Sequence, residues 1–216
     1  MFKAVVFDFD GTIANTLPIC FNAFRRVTEP IVGKMTDSEI RAKYFGPTEE
    51  GIFHTHFPEH AEEMLKEYYK YYEEMQKETN NTVPGLMELI HALSRKGVHV
   101  ALVTAKGPVS CKISLEHYGI VDAFETIEVG SPKGRAKDVG ILKALDAMGV
   151  KPDEAIYVGD SYKDVISSRK AHVVSWGAVW LPTAEPERVL AEKPDEIFYN
   201  VEDFKARLEE IFGALD

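Results

Sequence analysis

The sequence predicts an α/β fold: a three-layer core with a parallel, Rossmann-like sheet and an all-helical cap domain inserted after the first strand. Three observations carry this expectation. Short apolar, β-branched runs alternate with helical patterns through the later part of the chain, which implies right-handed crossovers and a sheet covered on both faces. The first apolar run, Ala4-Val5-Val6-Phe7, stops at Asp8-Phe9-Asp10-Gly11-Thr12, so two carboxylates stand at a strand's carboxyl end, where open α/β sheets receive ligands. Between residues 16 and 80 only helical patterns occur. The expected division is a core of residues 1–15 and 81–216 and a cap of residues 16–80.

Taken in order, the first strand places Asp8 and Asp10 on one side, with Phe9 turned away, because side chains alternate along a strand. Gly11 allows a sharp turn. Two carboxylates about 4 Å apart repel by roughly 4 kcal/mol at an effective dielectric near 20. A shared proton, a basic neighbour or a cation must offset this; of cations, hard oxygen ligands favour Mg²⁺.

A helix is expected over residues 15–28, with Leu17, Phe21, Phe24 and Val27 at helical spacing. Thr36-Asp37-Ser38-Glu39 forms a capping box opening a second helix to about residue 45. A third spans 49–57. The fourth, 60–78, carries Met64, Leu65, Tyr68, Tyr71, Tyr72 and Met75 along one face, a stripe read as core packing rather than a ligand box. Residues 80–85 form a second hinge.

Leu86, Leu89, Ile90 and Leu93 then mark a helix stopped by Gly97. Residues 99–104 form a strand ending in Thr104, 109–118 a helix and 124–129 a strand. The helix after the loop 130–137 is expected to bury Val139, Leu142, Leu145 and Met148. A strand over 155–158 leads to Gly159-Asp160-Ser161, followed by a helix over 163–171. Short strands at 173–175 and 178–180, an edge strand at 197–199 and a closing helix over 201–215 complete the chain.

With 216 residues, 45% of them hydrophobic, the chain can bury one good core and a smaller second one. The formal charge of −10 argues against nucleic acid or an anionic membrane as partner. No apolar run of about 18 residues and no signal-peptide pattern is present. Cys20 and Cys111 are the only cysteines and have no metal-site spacing. Cytoplasmic residence is expected.

Three strand ends carry side chains suited to phosphate: Asp8 with Asp10, Thr104, and Asp160. Each has a plainer alternative. Thr104 or Asp160 could cap the helix that follows, and Asp164 could be a solvated partner of Lys163.

Phe7-Asp8-Phe9-Asp10-Gly11-Thr12, Val103-Thr104-Ala105-Lys106, a mid-chain lysine and Gly159-Asp160-Ser161-Tyr162-Lys163-Asp164 resemble the four motifs of the haloacid dehalogenase superfamily. Within it the chain resembles the phosphoglycolate phosphatase-like branch. The resemblance implies an Mg²⁺-dependent phosphatase acting on a small phosphorylated metabolite, with phosphoglycolate the leading candidate, as monomer or homodimer. Asp8 would be the nucleophile forming an aspartyl-phosphate, and Asp10 the acid and base. Mg²⁺ would be held by Asp8, the Asp10 carbonyl and Asp160, with Asp164 behind. Thr104, Ala105 and Lys137 would contact the phosphoryl group.

Lys133 and Lys137 both compete for the lysine position, Lys137 at the better register. Asn15 stands where relatives commonly carry an acid. Arg25, Arg26, Lys43, His54 and His56 are cap residues that could read substrate or simply be solvated. A sugar phosphomutase and a non-catalytic module of the same fold are the alternatives.

Overall fold

The computed structural model describes residues 1–79, 81–134 and 137–215; Asn80 of the expected hinge and Arg135 beside the competing lysines lie outside them. Six parallel strands, β1 (Ala4–Phe7), β2 (His99–Val103), β3 (Thr126–Glu128), β4 (Ala155–Gly159), β5 (Val174–Ala178) and β6 (Glu196–Phe198), form one sheet in the order β3-β2-β1-β4-β5-β6. The chain builds outward from β1 to β3, then returns to β1's other side with β4. That reversal opens a crevice at the carboxyl ends of β1 and β4. Phe7 pairs with Leu102 on one side and Val158 on the other, so the strands' next residues emerge at the same level.

Alternation along the central strands fills two cores. Val5, Phe7, Val100, Leu102, Ile156 and Val158 pack with α5 (Leu86–Arg95), α6 (Pro108–Tyr118) and α10 (Val201–Phe212). Ala4, Val6, Ala101, Val103, Ala155 and Tyr157 face α7 (Lys137–Met148) and α8 (Tyr162–Ala171). These are the three expected layers.

Helices α1 (Leu17–Val32), α2 (Asp37–Lys43), α3 (Glu49–His56) and α4 (Ala61–Glu78) follow β1 and share a separate core including Phe21, Phe24, Phe53, Tyr68 and Tyr72. Tyr68 and Tyr72 are buried within it. The Thr36–Glu39 capping box forms as the spacing predicts. The two strands of chain leading into and out of this helical segment run side by side: Ala14 bridges Thr82, and the Asn15 amide donates to the Asn81 carbonyl at 2.8 Å.

Several elements differ from expectation. α1 continues through Pro30 to Val32, closed by Gly33; a proline this near the end forfeits one bond rather than the helix. The two strands expected at 173–175 and 178–180 are one, β5. Its Gly177 reads as a break in sequence, but a Cβ there would stand 2.9 Å from Val189 Cγ1, so the glycine serves packing. α7 buries Ile141, Ala144, Leu145 and Met148 and exposes Val139 and Leu142. Gly140 packs against Val103, where a Cβ would come within 2.9 Å of Cγ1, and this turns the apolar face by one residue. α9 (Pro186–Ala191) was not expected, since its single buried residue, Val189, gives no period to read. α10 stops at Phe212 because Gly213, at φ 81°, closes it. Among the described residues no helix is long and apolar enough to cross a membrane.

Candidate active site

Asp8 and Asp10 follow β1 and Gly11 turns the chain beneath them. Gly11 has φ +85°, and a Cβ there would lie 2.3 Å from Asp160 Oδ2. Glycine therefore serves both the turn and the close approach of β4's carboxylate. Thr12 Oγ1 donates to Asp160 Oδ1 at 3.3 Å. The carboxylates of Asp8, Asp160 and Asp164 bring one oxygen each to within 4.8 Å of one another, all three buried.

A cation, Lys137, faces this cluster directly. Lys137 Nζ stands 2.9 Å from Asp8 Oδ2 and 2.5 Å from Asp164 Oδ1. Burial opposes its charge, but Asp164 and Asp8 outweigh that and hold the ammonium above its usual range. Lys133 is exposed, and its backbone amide bonds Ser131 Oγ.

Burial pushes the Asp8 carboxyl from 3.8 up to about 6, with Lys137 opposing and Asp164 reinforcing the rise. Burial and then the neighbouring Asp164 and Asp8 raise Asp160 well above the carboxylate range. Three buried carboxylates against one lysine form an acceptor-only cluster short of positive charge, and that fits a hard divalent cation. Asp164 has both oxygens engaged, Oδ1 by Lys137 and Oδ2 by the Ser161 amide at 3.0 Å. Asp8 and Asp160 are left as the carboxylates to take the cation.

The plainer alternatives for these residues do not fit. Ser161, not Asp160, caps α8. Gly107, not Thr104, occupies the N-cap of α6. Asp164 is buried against Lys137 rather than solvated beside Lys163. Thr104 is buried, and its Oγ1 accepts from the Lys106 amide at 3.3 Å, which leaves the hydroxyl proton available. Thr104 and Ala105 both line the cavity described below.

Asp10 lies apart from the three-carboxylate cluster. Its Oδ1 accepts from Lys106 Nζ at 3.0 Å and from the Thr16 hydroxyl. Lys106 and Glu49 are functional candidates that sequence reasoning passed over. Lys106 stands within its motif without an evident role; a lysine two residues past a strand-end threonine is the available signal. Glu49 gave none, since its partners lie across the fold: Oε2 accepts from the Gly107 amide at 2.9 Å and Oε1 from Ser110 Oγ at 2.5 Å. Thr48 N also donates to the Ser131 carbonyl at 3.2 Å. The helical segment is thus docked on the core.

Between them is a cavity of about 500 Å³ whose inner wall includes Asp8, Asp10, Thr104 and Asp160. Arg41, Lys163 and Arg188 also line it. The expected cap readers do not. Arg25 pairs with Asp37, Arg26 lies over Tyr71, Lys43 over Tyr44, His54 bonds Glu62, and His56 packs edge-on to Tyr44. Asn15 Oδ1 accepts from Thr183 Oγ1 at 3.4 Å.

Residues 5–178 match the haloacid dehalogenase-like hydrolase family. The PpaX protein of Caldanaerobacter subterraneus subsp. tengcongensis is 31% identical over 216 residues, covering 98% of this chain and 95% of its own. Pyrophosphatase PpaX of Bacillus cereus (strain B4264) is 26% identical over 206 residues, 89% of this chain and 94% of the relative. The crystal structure of β-phosphoglucomutase from Clostridium difficile superposes with a TM-score of 0.78 at 21% identity, covering 98% of this chain and 97% of that one, and speaks for the fold. With strand-end carboxylates gathered around one lysine and a family match spanning most of its length, the chain belongs to the haloacid dehalogenase-like hydrolases, as a phosphatase-like member.

Proposed function

We propose that this enzyme is an Mg²⁺-dependent phosphatase of a small phosphorylated metabolite, working through an aspartyl-phosphate on Asp8. The observation carrying this reading is the separation of the two β1 carboxylates: Asp8 pairs with Lys137, Asp10 with Lys106 and Thr16. Two carboxyls with different partners can take different roles.

Asp8 attacks phosphorus, forming a new P–O bond as the bond to the leaving oxygen breaks. The Asp10 carboxyl gives its proton to that oxygen, and the alcohol departs. The Asp10 carboxylate then takes a proton from water, whose oxygen attacks phosphorus and breaks the bond to Asp8, releasing phosphate. Lys137 neutralises Asp8 and the phosphoryl oxygens, and the Thr104 hydroxyl donates to the same group. A divalent cation held by Asp8, Asp160 and the Asp10 carbonyl would supply further neutralisation of phosphoryl charge. Asp164 orients Lys137 and stands behind the cation. The docked helical segment, residues 16–80, acts as the cap that excludes water.

Phosphoglycolate is the leading named substrate. Inorganic diphosphate is the second reading, favoured by Arg41, Lys163 and Arg188 along the cavity and by the pyrophosphatase name of the Bacillus relative. Two free, buried cysteines suit a reducing cytoplasm. The test is phosphate release from a panel of small esters and diphosphate, with Mg²⁺ and with EDTA, and with Asp8→Asn as contaminant control. Metal-dependent release absent in the variant supports the reading. Silence across the panel sinks it, and a bisphosphate-primed assay then separates a mutase from a non-catalytic module.

A further inference from the structure

Lys106 is a buried charge to which the motif that contains it assigns no role. Its side chain is 1% exposed. Nζ lies 3.0 Å from Asp10 Oδ1 and 2.7 Å from Tyr72 Oη. Asp10 follows β1, Lys106 follows β2 and Tyr72 belongs to α4 in the helical segment, so three separate parts of the chain meet at one ammonium. Tyr72 is itself fixed: its hydroxyl is 2.8 Å from Ser114 Oγ of α6, and Gln76 Nε2 donates to both hydroxyls at 3.2 and 3.0 Å. The Lys106 charge also lies 4.5 Å from the Tyr72 ring centroid, a favourable desolvated cation–π placement.

A carboxyl that must pass a proton has to present one oxygen to the leaving group and hold it there, since proton transfer requires hydrogen-bond reach. Among the described residues, Lys106 Nζ and Thr16 Oγ1 donate to the Asp10 side chain and both fall on Oδ1; Oδ2 takes neither. We propose that Lys106 is a positioning residue that pins Asp10 by Oδ1 so that Oδ2 performs proton transfer, and that Tyr72 makes this pinning conditional on the docked cap. Lifting α4 removes the Tyr72 hydroxyl from Lys106, leaving the ammonium free to swing and the carboxyl held by Thr16 alone. The acid and base is thereby correctly aimed only when the cavity is closed. This inference rests on the phosphatase reading given above.

The leaving group tests it. p-Nitrophenolate departs without needing a proton, whereas an alkoxide does not. First-turnover product release is measured by rapid mixing for p-nitrophenyl phosphate and for the best alkyl phosphate of the panel, using the Mg²⁺-loaded parent, Lys106→Met and Tyr72→Phe. Lys106→Met is expected to slow alcohol release about 10²-fold, within the span general acids contribute, while the p-nitrophenolate burst stays within about threefold. Tyr72→Phe keeps Lys106 and the ring, folds independently of the first variant's fate, and shows the same selectivity at about tenfold. Equal slowing on both esters in the folded Tyr72→Phe protein, or none on either, overturns the positioning role alone. A parent that releases nothing from either ester overturns the phosphatase reading and this inference with it.

Discussion

Glu49 of the helical segment caps a helix of the core, its Oε2 accepting from the Gly107 amide at 2.9 Å. Gly107 is the N-cap of α6 and Pro108 after it carries no amide, so the Glu49 carboxylate supplies the partner of the N-cap amide from a distant part of the chain. The same carboxylate takes the Ser110 hydroxyl. Glu49 thereby ties the helical segment to the start of α6.

Replacing Glu49 by Ala should cost about 1–2 kcal/mol, the value of a helix cap, and lower the melting temperature by roughly 2–8 °C for a chain of this size. Burial, opposed by Lys106 and the Ser110 bond, raises the Glu49 carboxyl above its usual 4.5. Its contribution to stability is therefore full below 4.5 and is lost as pH rises through the raised value. Glu49→Gln keeps the acceptor and has no charge to bury. Its melting temperature should fall less between pH 5 and pH 8 than the parent's; an identical fall in both proteins would refute the assignment.

Asp8→Asn should abolish turnover, by at least ~10³-fold as expected for loss of a nucleophile, while the fold survives. With the Asp8 carboxyl raised from 3.8 to about 6, the metal-free protein gains from this group below pH 4. That gain, on the order of 3 kcal/mol, is lost as pH rises through 6. In EDTA the parent should lose more stability than Asp8→Asn between pH 5 and pH 8, and Mg²⁺ should raise the parent's melting temperature at pH 8. Calorimetry of both proteins would decide it.

Lys137→Met leaves Asp8 and Asp164 without their shared cation. Turnover should fall at least ~10²-fold, the cost of a missing charge stabiliser, whereas Lys133→Ala should stay within about twofold. A severe loss at Lys133 with an active Lys137→Met would reverse the choice.

Gly51→Ala tests the docking surface. A Cβ at Gly51 would lie 2.1 Å from the Pro132 carbonyl oxygen, which is backbone and cannot swing aside. The helical segment should then seat poorly, lowering kcat/KM about tenfold or more, as small misplacements do, while far-UV circular dichroism is unchanged. Full activity would show that α3 need not seat in this position.

The strand ends that carry Asp8, Asp10, Thr104 and Asp160 were legible because each is a local string: an apolar run that stops at an acid or a hydroxyl. The order of helices and strands was legible for the same reason, through period and punctuation. β5 was misread as two strands because Gly177 breaks the pattern locally while serving a contact with Val189 on another element. α7's face was misread because Gly140, unremarkable in sequence, is where the helix meets Val103.

What the sequence determined by itself was the α/β class, the helical segment after β1 and the identities of Asp8, Asp10, Thr104 and Asp160 as strand-end residues. Local periodicity and turn residues encode these within a few positions of one another. The sequence already favours Lys137 over Lys133 by register; tertiary structure alone decided that Lys137 pairs with both Asp8 and Asp164, that Lys106 meets Asp10 and Tyr72, and that Glu49 bonds Gly107 and Ser110 at the start of α6. Those partners lie from 27 to 129 residues away in Asp164–Lys137 and Asp8–Lys137, and 96 away in Lys106–Asp10. Such pairings arise only when the sheet's strand order and the docked helices bring charges together in a low-dielectric interior, where an unpaired one would be too costly to keep.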